Sequence, residues 1–258
     1  MSLSLLNLLA AGAGAFAAGA VNALAGGGTL ISFPILIAVG VPALSANITN
    51  TVSLTPGYFS GTMAQRADLA PQMARTKQLS VVGLVGGLAG SILLVLTPNS
   101  AFKSAVPWLI LISCALLVVQ NRVRDWVRTR SSSAVALEDR RHHSVGLLAT
   151  VFVAAIYGGF FGAGLGIMLL ALLGLFTDDS LRHLNALKQA LSLVINLCAA
   201  VLFSFSGHVQ WKLVPIMAVA ALAGGHVGGR LSRVVNPTAL RWTVVAFGVA
   251  VAVKFWMS

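Results

Sequence analysis

The chain has little charge, few acids and almost no long polar stretch. Of 258 residues only 9% are charged while 57% are hydrophobic, and mean hydropathy is +0.90. A water-soluble domain carries about 25% charged residues, so that class is excluded. The six acidic residues, Asp68, Asp125, Glu138, Asp139, Asp178 and Asp179, all fall in or beside loops. This disfavours proton coupling through a carboxylate at mid-membrane. Cysteine is nearly absent: Cys114 and Cys198 lie inside apolar segments, without metal-type spacing, and read as packing residues. No Cys/His spacing suits zinc, and the glycine stretches lack the Lys-Ser/Thr of a phosphate loop, so neither a metal nor a nucleotide cofactor is expected. A primary pump is excluded for this chain alone. The first twenty residues hold no basic residue, which argues against a cleaved signal peptide.

What remains is apolar. Runs occupy about 4–25, 29–40, 44–64, 78–97 and 104–120, then 144–161, 166–177, 184–205, 214–235 and 239–257. They are continuously apolar and do not alternate, so the expected fold is an all-α integral membrane protein in the lipid bilayer, not a β-barrel. Two runs, 29–40 and 166–177, are too short to cross the hydrocarbon core and read as half-helices. Between the fives lies the polar segment 121–143 with six arginines, read as a linker between a first unit at 1–120 and a second at 144–258.

An offset of 138 residues superposes Gly26 on Gly164, Gly28 on Gly166, Asn47 on Asn185, Gly86 on Gly224, Gly87 on Gly225 and Gly90 on Gly228. These five Gly–Gly coincidences, where composition gives about one or two, predict inverted five-plus-five repeats. The net charge of +11 fits this plan better than nucleic-acid binding, because the basic residues sit between the runs. With the 121–143 linker cytoplasmic, fourteen lysines and arginines fall inside and only Lys103, Lys212 and Lys254 outside. The positive-inside rule then puts both termini outside a plasma membrane.

Gly26-Gly27-Gly28-Thr29 and Gly162-Ala163-Gly164-Leu165-Gly166 each precede a short run. An unwound corner at membrane depth needs protein, water or ligand to satisfy its backbone, and the half-helix after it aims N–H groups and a positive dipole end at the cavity so formed. Such a site suits an anion. Gly86-x-x-x-Gly90 and Gly224-x-x-x-Gly228 read as close helix packing. Polar residues follow each hairpin: Asn47, Thr49, Asn50, Thr51 and Ser53, then Asn185, Lys188, Gln189, Ser192 and Asn196. Lys188 either faces an anionic ligand or snorkels to the surface. His226, inside a span, reads as a packing group before a proton relay.

The stretches Gly19-Ala-Val-Asn22-Ala-Leu-Ala-Gly26-Gly-Gly-Thr29-Leu-Ile-Ser-Phe-Pro34, Ala46-Asn47-Ile-Thr49-Asn50-Thr51-Val-Ser53 and Gly158-Gly-Phe-Phe-Gly162-Ala-Gly164-Leu-Gly166 resemble the TauE/SafE family of sulfite exporters, over nearly the whole chain. The resemblance implies a plasma-membrane permease for sulfite, sulfoacetate or related sulfonates and carboxylates. Candidate substrate-binding residues are Asn22, Gly26, Gly27, Gly28, Thr29, Asn47, Asn50, Thr51, Gly162, Gly164, Gly166, Lys188, Gln189 and Ser192. The expected function is alternating-access export of a small anion. An anion channel and a membrane enzyme or assembly factor are the rivals, although the sequence offers no catalytic residue for an enzyme. Oligomeric state stays open, a homodimer included.

Overall fold

In lipid the backbone must satisfy its own hydrogen bonds, and continuous apolar runs leave the helix as the means. The computed structural model describes residues 4–24, 27–131, 140–177, 179–231 and 237–256, and among these there is no strand. The helices are α1 (Leu5–Leu24), α2 (Thr29–Ala38), α3 (Ala43–Ala64), the single turn α4 (Arg66–Leu69), α5 (Met73–Leu96) and α6 (Asn99–Ser131), then α7 (Arg140–Phe160), α8 (Leu165–Phe176), α9 (Leu181–Ser204), α10 (Val214–Leu231) and α11 (Pro237–Trp256). Within the described residues, each apolar run marked in the sequence coincides with a helix.

Among the described residues four spans are long and apolar enough by themselves to cross a bilayer: Leu5–Asn22, Arg66–Leu96, Asn99–Val127 and Leu181–Ser204. At ~1.5 Å per residue, α2 and α8 extend only about 15 and 18 Å, half of a hydrocarbon core of about 30 Å. Helix α3 is long enough, but Asn47, Thr49, Asn50, Thr51 and Ser53 lower its hydropathy, and Asn47, Thr49, Asn50 and Ser53 are buried. Leu5, Leu6, Val81, Leu96, Val153, Val219 and Phe205 stay exposed, an arrangement that suits lipid and not water.

The basic segment differs from a plain linker where it is described. Helix α6 runs through 121–131 and α7 starts at Arg140. At 33 residues, about 50 Å, α6 is longer than the bilayer core is thick. Its arginines can therefore be solvated beyond the hydrocarbon while the backbone stays helical. Residues 132–139 lie outside the described residues.

Packing is reciprocal between the halves. Helix α1 packs on α10 and α7 on α5; α3 packs on α10 and α9 on α5; α2 meets α11 and α8 meets α6; α3 meets α9 and α6 meets α11. Glycine makes the closest approaches. A methyl group at Gly90 would overlap the Ile156 carbonyl, one at Gly86 would sit 2.7 Å from Ala155 Cβ and the Phe152 carbonyl oxygen, and one at Gly224 would overlap the Phe16 carbonyl. These are backbone obstacles that no rotamer change relieves. Gly90→Ala is accordingly expected to cost about 1–3 kcal/mol, read as a lowered melting temperature of the purified protein in detergent. An unchanged melting temperature would show that α5 and α7 can separate freely.

Two ion pairs close one end of the bundle. Arg182 on α9 holds Asp68 on α4 at 2.8 Å, and Arg75 on α5 holds Asp179 before α9. Gln72 Nε2 adds a hydrogen bond of 2.8 Å to the His183 carbonyl.

Candidate functional site

Each half-helix starts at a glycine corner whose backbone only glycine adopts easily. Gly27 has φ +86° and Gly164 φ +79°, the left-handed region where a Cβ is strained. Before α2, the Asn22 side-chain oxygen accepts the Gly28 N–H at 2.8 Å, tying the end of α1 to the start of α2. Before α8, the Ala163 carbonyl accepts hydroxyl protons from Ser113 at 2.9 Å and Tyr157 at 2.5 Å. The backbone groups freed by unwinding are thus held by protein side chains, as the membrane interior demands. Gly26 lies outside the described residues.

Both corners open on one cavity of about 680 Å³. Its wall includes Asn22, Gly27 and Thr29 from the first corner, Gly162, Gly164 and Gly166 from the second, and Lys188, Gln189 and Ser192 from α9. Nine of the fourteen residues singled out in the sequence therefore meet at a single hollow. Of the others, Gly26 lies outside the described residues, and Gly28, Asn47, Asn50 and Thr51 do not line it. Gly28 is buried, with the Ala18 carbonyl where a side chain would stand. Asn47 donates from Nδ2 to the Phe160 carbonyl at 2.9 Å, Asn50 is 1% exposed, and the Thr51 hydroxyl donates to the Asn47 carbonyl at 3.1 Å. These three sit earlier in α3, before the part that faces the cavity.

That part is Leu54, Gly57, Tyr58, Ser60 and Gly61, joined by Gln65 just beyond the helix end. Sequence reasoning missed it. The signal was there: Asn47, Asn50, Leu54, Tyr58 and Gly61 recur at the 3–4 residue spacing of a single helix face. His226 was also misread. Expected to be packed, it is exposed and lines the cavity with Gly225 of α10.

The lining is electropositive. Lys188 and Arg182, the latter paired with Asp68, line it, and among the described residues no carboxylate does. The N-termini of α2 and α8 add positive dipole ends. Lys188 is half-buried; its Nζ bonds Asn185 Oδ1 at 3.2 Å, and its Cδ would lie 3.6 Å from a Cβ at Gly166. The ammonium is therefore held beside the α8 corner. Gln189 Nε2 reaches the Tyr58 carbonyl at 3.5 Å over Gly61, joining α9 to α3 across the cavity wall.

On the side away from Arg182 and Gln65, aromatic rings pack together. Phe33 and Phe161 meet edge to face at 5.5 Å, and Phe102 meets Phe160 edge to face at 5.8 Å. All of Phe33, Phe102 and Phe161 are buried. What this arrangement can do is hold a small anion between two helix N-termini and a lysine, with access from one side.

Known proteins resemble the chain along nearly its whole length. A probable membrane transporter protein of Haemophilus influenzae is 27% identical over 243 residues, covering 93% of this chain and 90% of that protein. The probable membrane transporter protein ORF9 of a Sinorhizobium species is 24% identical, with 93% and 88% covered. The probable membrane transporter protein YfcA of Escherichia coli K12 is 23% identical, with 84% and 77% covered. No solved structure matches. The model of the family described as sulfite exporter TauE/SafE matches residues 11–255, and the chain belongs to that family of multi-pass membrane proteins.

Proposed function

We propose that the protein is a secondary transporter, not an enzyme, that exports a small organosulfur or sulfur oxyanion, such as sulfite, sulfoacetate or a related sulfonate, across the plasma membrane. The observation that carries this reading is the cavity itself: two half-helix N-termini and Lys188 converge on it, and among the described residues no carboxylate lines it. A sulfonate or sulfite offers several acceptor oxygens to such donors. Export needs no driving ion in principle, since an anion leaving a cell that is negative inside gains about 2.3 kcal/mol per charge per 100 mV.

Alternating access through inverted repeats at 1–120 and 144–258 is the mechanism we favour. The reciprocal helix packing supports it, because exchanging the halves turns each α1–α10 or α3–α10 contact into its α7–α5 or α9–α5 mate. On this topology the termini are outside and Arg66, Arg75 and Arg182 are cytoplasmic, so the cavity faces the cytoplasm and the phenylalanine cluster seals the outer side. Flux from proteoliposomes tests the proposal. Saturable efflux of sulfite or a sulfonate is expected of a carrier, current linear in concentration would mean a channel, and no flux of any such anion would overturn transport.

A further inference from the structure

Beyond the anion cavity, the same face of α3 carries a second polar cluster. Asn47 Oδ1, Asn50 Oδ1 and Ser53 Oγ are buried and have no hydrogen-bond partner among the described residues; the three residues are at most 1% exposed. The Asn47 amide cannot be turned to relieve this, because its Nδ2 donates to the Phe160 carbonyl at 2.9 Å and a flip would set oxygen against oxygen. Buried acceptors without donors are rare and call for an explanation. Ser53 does not even take the carbonyl one turn back, as Thr51 and Thr55 on the same helix do.

We propose that Asn47 and Asn50, with the Ser53 hydroxyl on their flank, bind a monovalent alkali cation of the sodium type. Residues three apart on a helix place their Cβ atoms about 5–6 Å from one another, so the two amide oxygens can converge on one ion. Electrostatics at this spot favour a cation. Phe160 is the last residue of α7, whose negative dipole end therefore meets Asn47, the reverse of the helix N-termini at the anion cavity. The charge is single. Among the described residues no carboxylate is at hand to offset a divalent ion, since Asp68 and Asp179 are held in ion pairs by Arg182 and Arg75 and Asp125 lies on the basic extension of α6.

The second half of the chain supplies the internal comparison. At the 138-residue offset Asn47 corresponds to Asn185 and Asn50 to Lys188. In that half Lys188 Nζ sits 3.2 Å from Asn185 Oδ1. A tethered ammonium thus satisfies the amide oxygen that, in the first half, finds no donor. A mobile cation completes the first site as the lysine completes the second.

The inference does not depend on which solute the cavity carries. Thermal unfolding of the purified full-length protein in detergent tests it, with sodium chloride replacing choline chloride at constant ionic strength and no sulfur anion present. Sodium is expected to raise the melting temperature saturably, and Asn50→Ala to weaken the apparent sodium affinity about tenfold or more. Asn50→Asp, which keeps an oxygen at the site and adds charge, is expected to bind sodium more tightly than the wild-type protein. Equal melting temperatures in sodium and choline would show that water satisfies these oxygens and would overturn the proposal. Wild-type sodium affinity in Asn50→Ala or in Asn50→Asp would place the ion elsewhere and overturn it too. Neither result would touch the anion reading, which rests on Lys188 and the glycine corners.

Discussion

Replacing Lys188 by alanine is expected to weaken binding of sulfite or a sulfonate by about 1.5–3 kcal/mol, roughly ten- to a hundredfold, the value of a hydrogen bond to a charged group. The side chain is half-buried beside the α8 corner, with its ammonium on Asn185 and its stem over Gly166, so the charge is not diluted by bulk water. Its loss leaves two helix dipoles to hold the anion. Folding is expected to survive, because the Asp68–Arg182 and Arg75–Asp179 pairs that close this end keep both of their partners in the variant. Lys188→Arg, which keeps the charge, should restore much of the affinity. Isothermal titration or anion-dependent thermal stabilisation measures the effect, and unchanged affinity in Lys188→Ala would remove the lysine from the site.

The largest loss of transport is expected from Gly166→Leu. A side chain at Gly166 would enter the cavity at the α8 N-terminus, where a Cβ meets only Lys188, at 3.6 Å from Cδ, an ordinary contact. No positive φ constrains this residue, so the backbone tolerates the change. The leucine therefore fills the space of the anion without unfolding the corner. Gly164→Leu is a poorer probe. Its φ of +79° and the Leu116 Cδ1 3.1 Å from the added Cβ would combine backbone strain with blockage. For Gly166→Leu, efflux from proteoliposomes should fall to background while expression and melting temperature stay near wild type. Wild-type efflux would mean that the anion does not pass between the corners.

The comparison of Gly164 and Gly166 also shows how much of the site was legible in the sequence. Glycine density before a shortened apolar run located both corners, because few other patterns stop a helix inside lipid. Which glycines carry strain, which pack on backbone and which face the cavity could not be read, since all are the same letter. Gly28 is buried against Ala18 while its neighbour Gly27 lines the hollow. Among the polar residues of α3, composition marked the helix but not its facing. Asn50 and Thr51 stood out by chemical type, yet Tyr58 and Gly61 line the cavity, and the depth at which α3 passes the two corners decided that. His226 was discounted for want of a charged partner, and its exposure depends on the gap between α3 and α10 that only packing creates.

By itself the sequence determined the solvent, the places of the ten apolar helices and the two places where they break. Each follows from local quantities: hydropathy over about twenty residues, the length needed to cross the core and the cost of unpaired backbone in lipid. Only the tertiary structure decided that the breaks share one cavity, that Lys188 turns towards it and that Asn47 and Asn50 are sealed away from it. These are relations between segments more than a hundred residues apart, set by how helix ridges and glycine-backed surfaces fit, and no local property of the chain encodes the angle at which α3 meets α9.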